Sequence, residues 1–295
     1  MKFAFYPGCV SRGGCPELYP AAIQVCARLG FELEELKGAS CTGAGIIQEK
    51  NQFLGDVLNA RTFAMAEAIG QPNILLLCST CQGVMSQANY RLKANPEYLA
   101  KVNSYLSEEG LTYKGTANPR HLLWVLVEDY GIENFKKLVT RKLTGLRVAP
   151  FYGCYIVRPT WALGTKDNPQ RETALEQMIE AVGAEPVDFP GKSRCCGFPI
   201  LLINEKNSIK MVGKHTSDAK DLGADAMVTP CPLCHLNLDG FQPKAAKAAG
   251  KEIDLPIIHM PQMMGLAMGM SAKEMGLQRH IITTKAMQTK VGISA

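Results

Sequence analysis

No stretch of the 295-residue chain stays apolar for anything near the ~20 residues that a membrane-crossing helix needs. The most hydrophobic late stretch, Gln262 to Met270, covers only nine residues and is rich in Met and Gly. The opening Met1-Lys2-Phe3-Ala4-Phe5-Tyr6 is broken by Pro7 and Gly8 too early for a secretory signal. Basic residues are scattered rather than clustered or interleaved with aromatics, despite a net charge of +5, so nucleic acid is not expected as a partner. Gly43-Ala44-Gly45 lacks the preceding strand and the spacing of a dinucleotide loop, which assigns any flavin or nucleotide to a partner chain. The expectation from these absences is a cytoplasmic protein that does not itself span a membrane.

What is present is a globular composition, 46% hydrophobic and 20% charged, with room for two domains of ordinary size. It carries eleven cysteines. In the cytoplasm disulfides rarely persist, so cysteines at patterned spacings point to metal ligation or redox chemistry.

Nine of them fall into two copies of one pattern. Phe5-Tyr6-Pro7-Gly8-Cys9 returns as Phe151-Tyr152-Gly153-Cys154, Cys41-Thr42-Gly43 as Cys195-Cys196-Gly197, and Cys78-Ser79-Thr80-Cys81 as Cys231-Pro232-Leu233-Cys234. The first gap is 31 residues in one copy and 40 in the other, and the second is 35 and 34, so three correspondences stand in register. The segments between them match in kind. Lys2 to Tyr6 and Leu146 to Tyr152 read as strands that deliver a cysteine from their C-terminal tips. Glu17 to Leu29, Phe53 to Ile69, Glu172 to Val182 and Ile209 to Leu222 have helical spacing and end at glycine. Asn73 to Leu77 and Ala226 to Thr229 are buried-strand candidates feeding each Cys-x-x-Cys, and Leu122 to Tyr130 and Gln262 to Met270 read as helical. The fold class expected is α/β: two repeated domains, 1–143 and 144–295, each a small, mainly parallel sheet flanked by helices and related by pseudo-twofold symmetry. The junction is expected within Lys136 to Gly145. Residues after Ser271 read as a docking tail or a partly disordered end.

Thiolates select zinc, copper(I) or iron–sulfur clusters. Zinc takes four ligands, whereas the second copy offers five: Cys154, Cys195, Cys196, Cys231 and Cys234. Adjacent thiolates at Cys195-Cys196 suit a polynuclear iron–sulfur cluster, since neighbours can reach different metals. The first copy offers Cys9, Cys41, Cys78 and Cys81, with Thr42 where the fifth would stand. Of the others, Cys26 in an apolar helical stretch reads as a small buried hydrophobe. His121 and His259 hold equivalent places and suggest a shared packing role. His235, beside Cys234, reads as a satisfied histidine or as one that tunes the cluster. The methionines between Met260 and Met275 read as core or subunit contact.

The pattern Cys, long gap, Cys-Cys-Gly, long gap, Cys-x-x-Cys resembles that of the CCG-domain proteins. Two tandem copies in one chain, with Gly38-Ala39-Ser40-Cys41 and the run from Cys81 through Ala88-Asn89-Tyr90-Arg91-Leu92-Lys93, are similar to the family of heterodisulfide reductase B subunits. The resemblance covers most of residues 1–270. It implies a noncubane 4Fe–4S cluster on the five cysteines of the second copy, which then carry the catalytic step through the cluster. The four-cysteine copy admits a 4Fe–4S cubane, a zinc ion, or an altered noncubane cluster in which Cys15 supplies the missing ligand. The resemblance further implies an oxidoreductase of thiol/disulfide or sulfane-sulfur chemistry in sulfur metabolism, as in the heterodisulfide-reductase-like complex of sulfur oxidisers. Its partners would be an iron–sulfur C-type subunit, a flavin-bearing A-type subunit, and a thiol, disulfide or sulfur-carrier substrate. The alternative is an electron-transfer iron–sulfur subunit of a succinate-, lactate- or glycolate-type flavin dehydrogenase, without a substrate site of its own.

Overall fold

Four of the five residues of β1 (Lys2–Tyr6) are buried, the near-continuous apolar run of a strand covered on both faces. It pairs in parallel with β2 (Glu32–Glu35) and β3 (Asn73–Leu76), and β3 with β4 (Asn118–His121), giving the order β2-β1-β3-β4. A second sheet repeats that order as β6-β5-β7-β8, from β5 (Arg147–Pro150), β6 (Glu185–Pro186), β7 (Ala226–Thr229) and β8 (Ile257–His259). These elements come from a computed structural model, which describes residues 1–293. Both sheets are wholly parallel, so all four strand C-termini share one edge, where ligands of open parallel sheets gather.

The helices of eight residues or more are α1 (Leu18–Arg28), α2 (Gln52–Ala68), α3 (Ser79–Ala94), α4 (Pro96–Leu106), α5 (Ala174–Ala181), α6 (Glu205–Asp221), α7 (Pro232–Gly240), α8 (Gln242–Ala249) and α9 (Met260–Ala267). Helix α1 buries Leu18, Ala21, Ala22, Val25 and Cys26, a stripe at helical spacing that puts Cys26 in the core as expected. Helices α2 and α6 start alike: the Asn51 side chain accepts from the Leu54 amide at 3.0 Å and the Asn204 side chain from the Asn207 amide at 3.1 Å. Alternate strand residues feed two apolar clusters, and each cluster draws on both sheets. Phe5, Leu75, Val148 and Val228 lie in one, and Tyr6, Leu76, Ala149 and Met227 in the other.

Two expectations change. The segment Leu122 to Tyr130 begins as a short α-helical turn but widens to a π-helix over Val125–Tyr130. The chain after Ser271 is not a loose tail as far as residue 293: Met275, Leu277 and Met287 are buried in the first cluster, and the Gln262 side chain donates to the Met275 carbonyl at 2.8 Å. Methionines spaced among polar residues hid that packing, because no single stretch showed helical or strand periodicity. Among the described residues, no helix is long and apolar enough to cross a membrane.

Candidate metal centres

Each Cys-x-x-Cys spans the start of a helix. Cys78 is the N-cap and Cys81 the third residue of α3, and Cys231 and Cys234 hold the same places in α7. Unsatisfied amides and the helix dipole there favour thiolate over thiol. The remaining cysteines arrive from the loops after β1 and β5 and from the loops at Cys41 and Cys195-Cys196.

In the second copy the thiols form a contiguous array. Cys154 touches Cys195, Cys195 touches Cys196, Cys196 touches Cys234 and Cys234 touches Cys231. Hydrogen bonds from Cys154 and Cys196 pull the Cys195 thiol down to about 2, while its partners are pushed up. The amides of Gly197 and Phe198 point at the sulfurs of Cys195 and Cys196, at 3.4 and 3.5 Å. Five soft donors on one edge, with amides aimed at the sulfurs, fit an iron–sulfur cluster better than a four-coordinate ion.

In the first copy Cys9 touches Cys41 and draws its pKa down to about 6, and Cys78 touches Cys81. Thr42 occupies the place of Cys196: its buried hydroxyl donates to the Cys81 sulfur at 3.8 Å, as Cys196 meets Cys234. This set offers four thiols and one hydroxyl. Cys15 does not join it. Its thiol is buried against the other half, donating to the Pro232 carbonyl at 3.4 Å and 3.6 Å from His235 Nδ1. The altered cluster completed by Cys15 is therefore set aside, because six residues of chain after Cys9 carry the side chain across to the second half.

The two copies meet at their Cys-x-x-Cys motifs. Cys78 and Cys231 sulfurs lie 4.0 Å apart, and Thr80 Oγ1 lies 3.5 Å from Cys231. Those cysteines are buried, whereas Cys9 and Cys41 are exposed and Cys154 and Cys195 half-buried. Each site thus opens outward at one end and faces its twin at the other. The glycine before each first cysteine keeps space for a ligand: a Cβ on Gly153 would sit 2.8 Å from Cys234 Sγ, and one on Gly8 3.6 Å from Cys81 Sγ.

His121 and His259 do share a role. Each ends its sheet's last strand, caps the following helix, and reaches into the other half. His121 Nδ1 accepts from the Leu123 amide at 3.0 Å, so its Nε2–H donates to the Pro230 carbonyl at 3.0 Å. His259 Nε2 meets Glu17 Oε1 at 3.0 Å. Burial holds His121 down to about 4. An unfolded chain takes up that proton near pH 6.5 while the folded one refuses it, so stability falls as pH drops from about 6.5 to 4 and levels off below. The loss is at most about 3 kcal/mol. Denaturant titrations between pH 7 and 5 should show a slope that His121→Gln reduces, the remainder coming from His215, His235, His259 and His280, which burial also holds down.

His235 is satisfied rather than free, lying between Cys15 and His280, with Nε2 3.2 Å from His280 Nδ1. Donor atoms of Cys15, Glu17, His235 and His259 lie within 4.8 Å of one another. The rings of His235 and His259, however, are stacked 3.9 Å apart at 25°. An ion must lie in the plane of each ring that ligates it, and stacked planes share no such point nearby, so this group reads as a hydrogen-bonded core. Sequence reasoning passed over Tyr6, which lies among all four first-copy cysteines and donates to the Ser40 carbonyl at 2.8 Å. It also passed over His215, whose Nε2–H donates to the Cys195 carbonyl at 2.9 Å. Tyr6 could have been found as the residue three before Cys9, while nothing in the sequence ties His215 to Cys195.

Comparison with known proteins agrees with this arrangement. The cysteine-rich domain family named CCG matches residues 3–86 and 148–239. The chain is 36% identical over 293 residues, 99% of each chain, to the 8-methylmenaquinol:fumarate reductase membrane anchor subunit of Wolinella succinogenes. It is 29% identical over 295 residues, 98% of this chain and 97% of the relative, to the B subunit of the ferredoxin:CoB-CoM heterodisulfide reductase of Methanosarcina mazei. It is 30% identical over 273 residues, 91% of each, to a protein of Archaeoglobus profundus described as like the B subunit of heterodisulfide reductase. A solved structure of a hypothetical protein from Helicobacter pylori shares the fold, with a TM-score of 0.76 at 16% identity. The match covers 96% of this chain but about half, 52%, of that one.

Proposed function

Because the chain belongs to the cysteine-rich CCG domain family and carries its motif twice, we propose that this iron–sulfur electron-transfer subunit handles a small sulfur compound at its second copy, within a multi-subunit reductase. The observation that carries the reading is the five-thiol array, half-exposed at Cys195 and, at Cys231, in contact with the first copy. Cys154, Cys195, Cys196, Cys231 and Cys234 would hold a noncubane 4Fe–4S cluster, and Cys9, Cys41, Cys78 and Cys81 a 4Fe–4S cubane, with zinc as the other occupant such a set accepts. Bound there, such clusters supply single electrons and an iron that can take a sulfur ligand.

The chain's own residues set the conditions. The amides of Gly197 and Phe198 and the α7 N-terminus stabilise negative charge on the second set of sulfurs. Thr80 places a hydroxyl on Cys231 at the boundary between the two sets, and Thr42 places one on Cys81. The motif contact between Cys78 and Cys231 is the short route for electrons between the copies. Interconversion of a disulfide and two thiols moves two electrons and two protons, so the first copy serves as the relay to a C-type iron–sulfur subunit, with flavin on an A-type subunit. Sulfur metabolism is the setting this reading assigns, in either direction of electron flow.

A second reading has its own support. The relative from Wolinella succinogenes, at 36% identity, is a fumarate reductase subunit. On that reading both copies relay electrons to a flavin dehydrogenase of the succinate or fumarate type, and neither meets a substrate. Anaerobic purification followed by iron and sulfide analysis and EPR with added thiols separates the two. A thiol-sensitive signal supports the sulfur reading. A spectrum indifferent to thiols but responsive to a flavoprotein partner supports the relay, and a colourless, iron-free protein sinks both.

Thr42→Cys provides an internal check. Completing the fifth position of the first copy is expected to add a second thiol-sensitive EPR signal beside that of the second copy. Thr42→Ser, which keeps the hydroxyl, is expected to leave the spectrum as it is.

A further inference from the structure

Each copy forms a cleft between the helix that follows its Cys-x-x-Cys, its last strand, and the loop after the other copy's first cysteine. In the second copy the chain fills this cleft with its own C-terminal segment. Asp239 of α7 accepts from the amides of Ile281 and Ile282 at 2.7 and 3.1 Å. His235 meets His280 at 3.2 Å, and Gln262 reaches His280 at 2.9 Å and the Met275 carbonyl at 2.8 Å. Cys15, from the loop after Cys9, closes the far side against His235.

Aligned on Cys81 with Cys234 and on His121 with His259, the counterparts of Asp239, His235 and Gln262 are Ser86, Gln82 and Trp124. These three line a solvent-open cavity of about 310 Å³ beside α3, closed on its far side by Leu163 and Gly164 from the loop after Cys154. No segment of the described chain enters it as residues 275–282 enter its twin. Its polar groups are left without partners. Gln82 is only 1% exposed; its amide nitrogen donates to Ser86 at 2.8 Å and to the Pro119 carbonyl at 2.9 Å, and its Oε1 meets nothing. Arg120 commits Nη2 to Glu128 and Asp129 at 2.6 and 2.8 Å and keeps a buried, unpaired Nε–H. Lys93 donates to the Ala117 carbonyl at 2.9 Å and forms no ion pair among the described residues. Buried polar groups are paired almost everywhere in folded proteins, so a buried acceptor and a buried donor left over in one cavity mark a missing partner.

We infer that this cleft receives an acidic, extended segment of a partner chain, seated beside α3 as residues 275–282 are seated beside α7. A main-chain N–H of the segment donates to Gln82 Oε1, as the amides of Ile281 and Ile282 donate to Asp239. A carboxylate side chain accepts from Lys93 and from the Arg120 Nε–H. The charge preference is the reverse of the second copy's. There an acidic Asp239 holds a segment carrying Arg279 and His280, whereas here Ser86 replaces the acid and Lys93 stands where the second copy has Ala246. Tyr90 in the cavity wall meets Trp161 edge to face at 4.9 Å, and both are half-exposed, which leaves aromatic surface for an apolar residue of the segment. The inference rests on the reading that the chain works within a multi-subunit reductase, and it adds the place and the charge of one subunit contact.

The test uses the complex purified anaerobically with its partner subunits. A photo-crosslinking residue, p-benzoylphenylalanine, replaces Tyr90, with Trp161 as a second position and the equally exposed Tyr105 as control. After irradiation, mass spectrometry is expected to find Tyr90 and Trp161 joined to one Asp- or Glu-bearing stretch of a partner subunit, and Tyr105 joined to none. The synthetic peptide of that stretch is then titrated into the isolated chain. Both tryptophans of the chain, Trp124 and Trp161, lie at this cleft, so their fluorescence reports its occupation. Lys93→Glu should weaken the peptide about tenfold or more with iron content unchanged, and Lys93→Arg should retain it. Gln82→Met should weaken it as well. Partners that co-purify but do not crosslink at Tyr90 or Trp161, a crosslinked stretch that is basic, or binding indifferent to Lys93→Glu would each overturn the docking site and leave the multi-subunit reading standing. A small molecule found in the cleft by native mass spectrometry would overturn it too. A chain that purifies with no partner at all would remove that reading, and the docking site with it.

Discussion

Cys196→Ala is expected to abolish the thiol-sensitive EPR signal while leaving iron near the roughly eight per chain that a 4Fe–4S cluster in each copy would give. Cys196 is buried and bridges Cys195 to Cys234. Removing its sulfur leaves Cys154, Cys195, Cys231 and Cys234, the same complement that the first copy has around Thr42. The variant thus turns the second site into a likeness of the first, four thiolates suited to an ordinary cubane. Iron and sulfide analysis with EPR before and after addition of a thiol checks this directly. Persistence of the signal would show that the fifth thiolate is not what makes the second copy responsive. Loss of iron to about four per chain would show that the array needs all five donors merely to form.

The second large effect is steric. Gly153→Ala is expected to lower iron from about eight to about four per chain, whereas Gly8→Ala leaves it near eight. Both glycines have positive φ, 71° and 78°, so each substitution costs about 1–2 kcal/mol of backbone strain. Only at Gly153 does the added methyl also fall 2.8 Å from a ligand sulfur, that of Cys234, against 3.6 Å from Cys81 at Gly8. The sulfur cannot yield without leaving the array, because Cys234 is fixed as the third residue of α7 and is buried. Thermal unfolding should drop similarly in both variants, and metal analysis should separate them. Equal iron in the two would mean that α7 shifts to make room.

The repeat itself was plain in the cysteines, and with it came the two central strands of each four-stranded sheet. β1 and β7 lie where their apolar runs place them, and α1, α2, α5 and α6 lie within a few residues of the helical segments. What sequence hid has physical reasons. β2 is Glu-Leu-Glu-Glu, an edge strand whose charges mask its pairing with β1. β4 and β8 are only four and three residues long, too short for alternation to register. The nine motif cysteines were legible, and the structure brings them into two sets. The contact between the sets was not legible, nor was the crossing of Cys15 to the second half, since both depend on how one half is laid against the other.

The crossing of hydrogen bonds between the halves sets a timetable for biosynthesis. Ser79, beside Cys78, donates to a carbonyl 151 residues downstream, and His121 to the same carbonyl, Pro230, 109 residues downstream. At ribosomal speeds of about 5–20 residues per second, this acceptor emerges roughly 5–30 s after its two donors. During that interval Cys9, Cys41, Cys78 and Cys81 are translated but the part of their inner wall that the second half supplies does not yet exist. Filling of the first set of cysteines would then wait for the second half to be made, and a chain that stalls midway presents bare thiols to whatever metal or oxidant the cell holds.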